Sequence, residues 1–347
     1  MEKMVSNWYN NSQPLPHDYI FPPDQRPQDD IKIPYCTTLP VIDISKVTTQ
    51  SRKEIIQKII FASKEFGFFQ VINHGVDDKL LGETMDVIKD FFDLPDEDKA
   101  SLYSVDPRRP CKLCTSSINY VNEKIHYWRD NLRHPCHPLS DSIGYWPEKP
   151  ANYRDVVGLY STEVRKLALR ILDLFCEGLG LEEGYFDNEL SQDQVLSINR
   201  YPPCPDPTLT LGLPKHSDFN LVTVLYQEDV YGLQVFKDGR WFGVEPLPNA
   251  FVINVGCQLQ IISNGKLRSA EHRVITNSTT ARTTLATFFS PTNESLIEPA
   301  KCLVNEGSPQ LFKSFIYKDF FGNYVANQGD TDGALRPYKL VPQPASE

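Results

Sequence analysis

The chain has 347 residues and a mass of 39.6 kDa, with 40% hydrophobic and 23% charged residues and a mean hydropathy of −0.37. That size accommodates two domains or one large β-containing domain with added helices, and that composition excludes disordered and collagenous chains. The net charge of −10 and pI of about 5.3 make phosphate backbones and anionic lipid surfaces poor partners, so neither nucleic acid nor membrane binding is expected.

The first ten residues, Met1 to Asn10, lack the apolar stretch of a secretory signal. No window of about 20 apolar residues occurs anywhere in the chain. Eight cysteines in so long a chain read as reduced thiols. A cytoplasmic monomer is the expectation.

Residues 1–38 are rich in Pro, Asn and Asp and read as an irregular arm. Residues 39–44 give a short strand signal. Over 51–66 the residues Ile55, Ile56, Ile59, Ile60 and Ala62 fall at helical spacing, and Gly67 ends the helix. A buried strand is predicted at 68–72, closed by a turn in which His74 is structural. A second helix is predicted at 78–92. Residues 100–123 have no dominant period and read as a mobile loop. A long amphipathic helix follows over 153–178, broken by Gly178, Gly180 and Gly184.

From residue 195 the pattern changes to short β-rich runs between turns, at 196–201, 221–227, 232–236, 241–245, 251–255, 272–276 and 283–289. Such spacing points to a sandwich or barrel rather than a parallel sheet. A helical pattern returns over 308–321. The division expected is a helical N-terminal region, 1–190, and a β-barrel region with a C-terminal helix, 191–347, sharing one core.

Two of the seven histidines lie in the β-rich half. His216 and Asp218 are two residues apart, a spacing that puts both on one face of a strand, and His272 lies on a later strand. Two imidazoles and one carboxylate on one side of a cavity can hold Fe(II) facially and leave positions open for a chelating co-substrate and dioxygen. Arg282 lies ten residues after His272. A buried Arg needs an anion, which a dicarboxylate would supply through a bidentate pair. The Thr284 hydroxyl shares its strand face, and Asn199, Arg200 and Tyr201 open the β region on the other side of that pocket. Cys111, Cys114, His134, Cys136 and His137 have zinc-like composition but read as reduced thiols and loop residues. Residue types alone leave open a barrel that binds without catalysis, or a zinc or copper enzyme. The intact triad argues against the first, and Arg282 would have no purpose in the second.

His216-X-Asp218, His272 and Arg282-X-Thr284 resemble the signature of plant 2-oxoglutarate- and Fe(II)-dependent dioxygenases. The likeness extends to Leu39–Asp43, Phe66–Gly75, Asn199–Pro205, Leu247–Gly256 and Ser263–Gly265, and covers about residues 36–320. Most members have Ser where this chain has Thr284, which keeps the hydroxyl. Tyr127–Asp130, Cys136–Leu139, Trp146–Pro150, Glu177–Gly180 and Gly184–Ser191 are most similar to the tropane-alkaloid hydroxylases of that family.

The resemblance implies a double-stranded β-helix (jelly-roll, cupin-like) core with flanking helices, an α+β, mainly β fold. The N-terminal part would be a non-haem dioxygenase N-terminal domain. It implies Fe(2+) held by His216, Asp218 and His272. It implies 2-oxoglutarate as co-substrate, anchored by Arg282, Thr284, Tyr201 and Asn199, with O2 as oxidant and ascorbate as reductant. The expected reaction hydroxylates a small specialised metabolite, an alkaloid first, with release of succinate and CO2. The alternative is hydroxylation, desaturation or ring closure of a neutral phenylpropanoid, coumarin precursor or flavonoid. Of Phe288 and Phe289, one should face the pocket and the other the outer packing. Tyr120, Trp128 and Tyr324 are further pocket candidates, because loop and C-terminal helix cover the active site in such enzymes.

Overall fold

The computed structural model describes residues 4–7, 14–27, 39–48, 51–106, 108–117, 120–327 and 330–340. Most of the predicted arm and residues 107, 118 and 119 of the predicted loop lie outside these.

In chain order the first strand, β1 (Val41–Asp43), leads to helix α1 (Arg52–Glu65), strand β2 (Phe68–Ile72) and helix α2 (Asp78–Asp93). The Asp77 side chain caps α2 by accepting from Lys79 N at 2.7 Å. A single-turn helix α3 (Asp96–Lys99) precedes β3 (Lys112–Thr115) and β4 (Asp130–Pro135). The single-turn α4 (Leu139–Ser142) then leads to the long α5 (Tyr153–Leu179). α1 and α5 bury the Ile, Leu and Val stripes that the helical period predicts.

The β region comprises β5 (Asp193–Tyr201), β6 (Leu213–His216), β7 (Val222–Gln227), β8 (Leu233–Lys237), β9 (Arg240–Gly243) and β10 (Phe251–Val255). After the short α6 (Cys257–Ile262) come β11 (His272–Val274) and β12 (Arg282–Ser290). The chain closes with the minor pair β13 (Leu296–Ile297) and β14 (Phe315–Ile316) and the helices α7 (Tyr317–Ala326) and α8 (Thr331–Leu335).

Eight strands form one sheet in the order β1-β2-β10-β7-β12-β5-β4-β3, and four form a second, β6-β11-β8-β9. This is the expected jelly-roll with flanking helices. Alternation along the strands of the large sheet sorts its two faces. One face, with Leu132, Ile198, Val224, Ile253, Leu285 and Phe289, packs in a single apolar cluster with α1, α2 and α5. The face toward the small sheet carries Asn131, Asn199, Thr284, Gln227, Thr223 and Asn254, all buried. A smaller apolar cluster, with Phe68 and Val252 from one sheet and Leu233 and Val235 from the other, closes one part of this lumen. A polar inner face inside an apolar shell marks a ligand chamber, because buried polar groups are costly unless paired.

Four expectations are corrected. The predicted mobile loop contains β3, whose residues are all buried and pair with β4. A four-residue strand is too short to show a period. Gly178 does not break α5. The helix runs through it to a left-handed cap at Gly180, because a Cβ on Gly178 would lie 2.5 Å from Ile60 of α1 and the bare backbone lets the helices meet. The helix predicted at 308–321 starts only at Tyr317. Asn264 ties the preceding segment down by donating to Pro309 O and accepting from Leu311 N, and β14 pairs with β13. β6 ends at His216, so Asp218 lies beyond the strand.

Candidate active site

β6 and β11 pair so that His216 and His272 stand directly opposite each other. Their rings are 4.2 Å apart, and the His272 ring rests edge-on against Phe68. His216 Nδ1 donates to Pro214 O at 2.9 Å and His272 Nδ1 to Ala270 O at 3.2 Å. Each Nε2 is then the lone-pair nitrogen, pointing inward. Asp218 Oδ1 lies 3.6 Å from His216 Nε2 and 3.7 Å from His272 Nε2. The expected i, i+2 strand alternation does not place this carboxylate. Its backbone carbonyl accepts from Cys257 N, and its Oδ2 accepts from Thr223 Oγ1 at 2.6 Å and Asn254 Nδ2 at 2.7 Å. Among the described residues this is the one group of three metal-capable side chains, with ligand atoms all within 4.8 Å.

The electrostatics suit a cation. Burial, then the neighbouring His272, pushes His216 down to about 3, so it stays neutral and able to ligate. Burial alone would raise the Asp218 carboxyl, but the two imidazoles and the Thr223 and Asn254 donors together hold it below its ordinary value.

Deeper in the lumen, β12 pairs with β5 so that Arg282 faces Tyr201 and Thr284 faces Asn199. Arg282 is buried; its Nε donates to Val230 O at 3.0 Å, one Nη donates to Gln227 Oε1 at 2.7 Å, and its other Nη is buried with no partner. The guanidinium carbon sits 5.4 Å from the Tyr201 ring centre. Burial pulls the guanidinium below its ordinary value, and the Tyr201 phenol acts the other way. Gly232 makes room: a Cβ there would stand 2.9 Å from Arg282 Cδ. An orphaned buried N–H on a fixed cation fits the carboxylate of a dicarboxylic co-substrate. Asn199 lies 3.5 Å from the Thr284 hydroxyl and accepts from Arg129 at 2.9 Å and Asn131 at 3.0 Å.

The aromatic candidates separate. Phe288 stacks on Phe219, 5.9 Å between centroids and 7° between planes, on the lumen side. Tyr324 reaches from α7 to donate to Ser217 O at 2.9 Å, between the first histidine and the aspartate. Phe289, by contrast, is fully buried in the helix-side core, since adjacent strand residues face opposite ways. Trp128 is also corrected. It packs with Val5, Leu15, Tyr19 and Cys204 in a separate apolar cluster and donates to Pro202 O at 3.0 Å. Tyr120 stacks on His126 at 3.8 Å within its own loop and adjoins the Tyr19 phenol. His74 holds a turn, as expected, with Nε2 donating to Asn249 O and Nδ1 accepting from Val76 N. The seven described cysteines are free. Cys111 joins the helix-side core, whereas Cys114, an odd number of residues away, faces the lumen near Arg129. They do not form a common site with His134.

Sequence reasoning missed Thr223, Asn254, Gln227, Arg129 and Phe219. A polar residue interrupting the apolar run Phe251–Val255 was the available signal for Asn254.

Comparison with known proteins agrees with this geometry. The family model for the 2OG-Fe(II) oxygenase superfamily matches residues 192–291, and that for the non-haem dioxygenase in morphine synthesis N-terminal region matches 39–154. Hyoscyamine 6-dioxygenase of Hyoscyamus niger is 44% identical over 98% of this chain and 99% of its own. Flavanone 3-dioxygenase 2 of Oryza sativa subsp. japonica is 40% identical over 94% of each chain. The crystal structure of JOX2 in complex with 2OG, Fe and JA superposes with a TM-score of 0.86 at 32% identity, covering 98% of both chains. No helix among the described residues is long and apolar enough to cross a membrane. The chain belongs to the 2OG-Fe(II) oxygenase superfamily and is an oxidoreductase that uses Fe(2+), 2-oxoglutarate and O2.

Proposed function

We propose that His216, Asp218 and His272 hold the iron, and that Arg282, Thr284, Tyr201 and Asn199 bind 2-oxoglutarate. The carrying observation is the convergence of three ligand atoms in the same lumen as a buried guanidinium with one unpaired N–H. Iron and 2-oxoglutarate supply the oxidising power that turns O2 into a C–H hydroxylation, with succinate and CO2 released. The chain's own residues do the rest. Pro214 and Ala270 fix the imidazole tautomers, Thr223 and Asn254 aim the carboxylate, and Arg282 orients the co-substrate. Phe219, Phe288 and Tyr324 form an aromatic wall that excludes water and receives substrate. A carboxylate at 218, where a halogenase would need a small residue to admit chloride, favours hydroxylation.

The substrate is a small specialised metabolite. The 44% identity to hyoscyamine 6-dioxygenase supports an alkaloid. The parallel Phe219–Phe288 pair and the 40% identity to flavanone 3-dioxygenase 2 support a second reading, a planar flavonoid, coumarin precursor or other phenylpropanoid. Desaturation and ring closure are variants of the same chemistry. A monomer in the cytoplasm, and a division between regions 1–190 and 191–347, complete the proposal. The test is succinate release by anaerobically iron-loaded protein given 2-oxoglutarate and ascorbate, then air, with tropane alkaloids, other amines, flavonoids and cinnamoyl derivatives. Stimulation by one class identifies the substrate family. Absence of 2-oxoglutarate binding would sink the assignment.

A further inference from the structure

β4 carries one guanidinium on its lumen face, Arg133, and a second, Arg129, immediately precedes the strand. β4 pairs with β5 so that Asn131 faces Asn199 and Arg133 faces Ser197. Asn131 donates to Ser197 and Asn199 inside the lumen, so Arg133, two residues on, points the same way. Arg129 joins it on this face, donating to Asn199 Oδ1 and to Ser116 O. Arg133 makes no hydrogen bond or ion pair among the described residues. The groups beside it are the Tyr317 phenol, the Cys114 thiol, Arg129 and Lys112 directly opposite on β3, with no carboxylate among them.

None of the nearby acids pairs with Arg133. Glu123 takes Ser116, Ser117 and His126, Asp218 faces the two histidines, and Asp193 is exposed at the start of β5 opposite Ser290. Toward β5 the side chains beside Arg133 are small, Ser197 and then Ala286, and on its other side, across β3, stands the buried Lys112. That row of the sheet falls between the row of Thr284 and the row of Thr223, which holds Asp218. A half-buried guanidinium without a counter-ion is costly, and its fork matches a carboxylate bidentately.

We propose that Arg133, flanked by Arg129, receives a carboxylate of the substrate, so that the substrate is an organic acid. This rests on the reading that the lumen is the substrate chamber, and it narrows that reading: an alkaloid or phenylpropanoid substrate would carry a carboxyl group.

The experiment uses full-length protein loaded anaerobically with Fe(II) and saturating 2-oxoglutarate, which blocks acid binding at Arg282. Benzoate, phenylacetate, cinnamate and indole-3-acetate are titrated by calorimetry, each against its methyl ester. An acid is expected to bind about tenfold or more tighter than its ester, the effect of one charge-assisted pair. R133Q should erase that preference, and R133K, which keeps the charge without the fork, should retain part of it. Equal binding of acid and ester, no acid binding at all, or a preference unchanged in R133Q would overturn the proposal. The visible absorption of the Fe(II)–2-oxoglutarate complex, read in the same cell, should persist in every variant. Its absence in the wild type would overturn the parent reading instead, and an acid preference lost in R133Q would still support the anion site. If R133Q fails to fold, R133K carries the test, with a reduced acid preference expected and an unchanged one overturning the proposal.

Discussion

Asp218 depends on two neighbours far along the chain, Thr223 and Asn254, and those contacts set its direction. Thr223→Val and Asn254→Ala should each lower iron affinity about 10–100-fold, the usual effect of removing a partner of a metal-ligating side chain. An anaerobic iron titration checks this, and unchanged affinity would mean the backbone alone positions the carboxylate. Alanine at His216, Asp218 or His272 should abolish succinate release and leave circular dichroism unaltered. Residual turnover in any of the three counts against that residue as a ligand. The two histidines, the aspartate, the arginine and the threonine could be singled out in the sequence only together and through the family resemblance, because a lone His-X-Asp is common by chance. Thr223, Asn254 and Gln227 could not be, because an ordinary polar residue acquires its role only when a strand from elsewhere is laid beside it. The choice between Phe288 and Phe289 likewise needed the register, which assigns the even positions of β12 to the lumen.

At the level of elements, the long helices were legible because 3.6-residue periodicity survives over several turns. β3 and β6, four residues each, carry too few positions to show a period of two. Gly178 shows how composition misleads: it reads as a helix breaker and is a helix contact. Gly178→Val should destabilise the protein by about 1–3 kcal/mol through overpacking against Ile60. A thermal melt that matches the wild type would show that α1 and α5 can part.

β4 is tied to α5 by His134, whose Nε2 lies 2.9 Å from the Tyr153 hydroxyl, with the Trp146 ring 4.4 Å away. Burial pushes this imidazole down to about 4, below its unfolded value near 6.5. The unfolded chain therefore binds the extra proton between those values. The stabilisation is complete above pH 6.5 and lost as pH falls toward 4, with about 2 kcal/mol gone by pH 5. Urea midpoints at pH 7 and pH 5 should differ more in the wild type than in His134→Gln. An equal difference would place the pH sensitivity elsewhere.

Across the whole molecule, the N-terminal region contributes four of the eight strands of the large sheet, and they sit at both ends: β1 and β2 against β10, β4 and β3 against β5. Sequence reading anticipated the shared core but not this arrangement, since strand order is a property of the assembled sheet. The residues matched by the superfamily model, 192–291, therefore contain the site yet leave two strands unpaired on their outer sides when cut away. Residues 191–347 expressed alone should aggregate, and co-expression with residues 1–190 should restore a soluble species that binds 2-oxoglutarate. A soluble, binding-competent fragment 191–347 would show that the outer strands are dispensable.

The same strand order governs how the chain is made. On the ribosome, β1–β2 and β3–β4 emerge as two separate pairs with no sheet to join, because β10 and β5 are not yet translated. The β3–β4 pair must wait through the synthesis of α5, and β1–β2 through most of the barrel as well, a long-range closure of the kind that folds slowly and recruits chaperones. Synonymous codon changes that slow elongation between β4 and β5 would prolong that wait and lower the yield of active enzyme without altering a single residue.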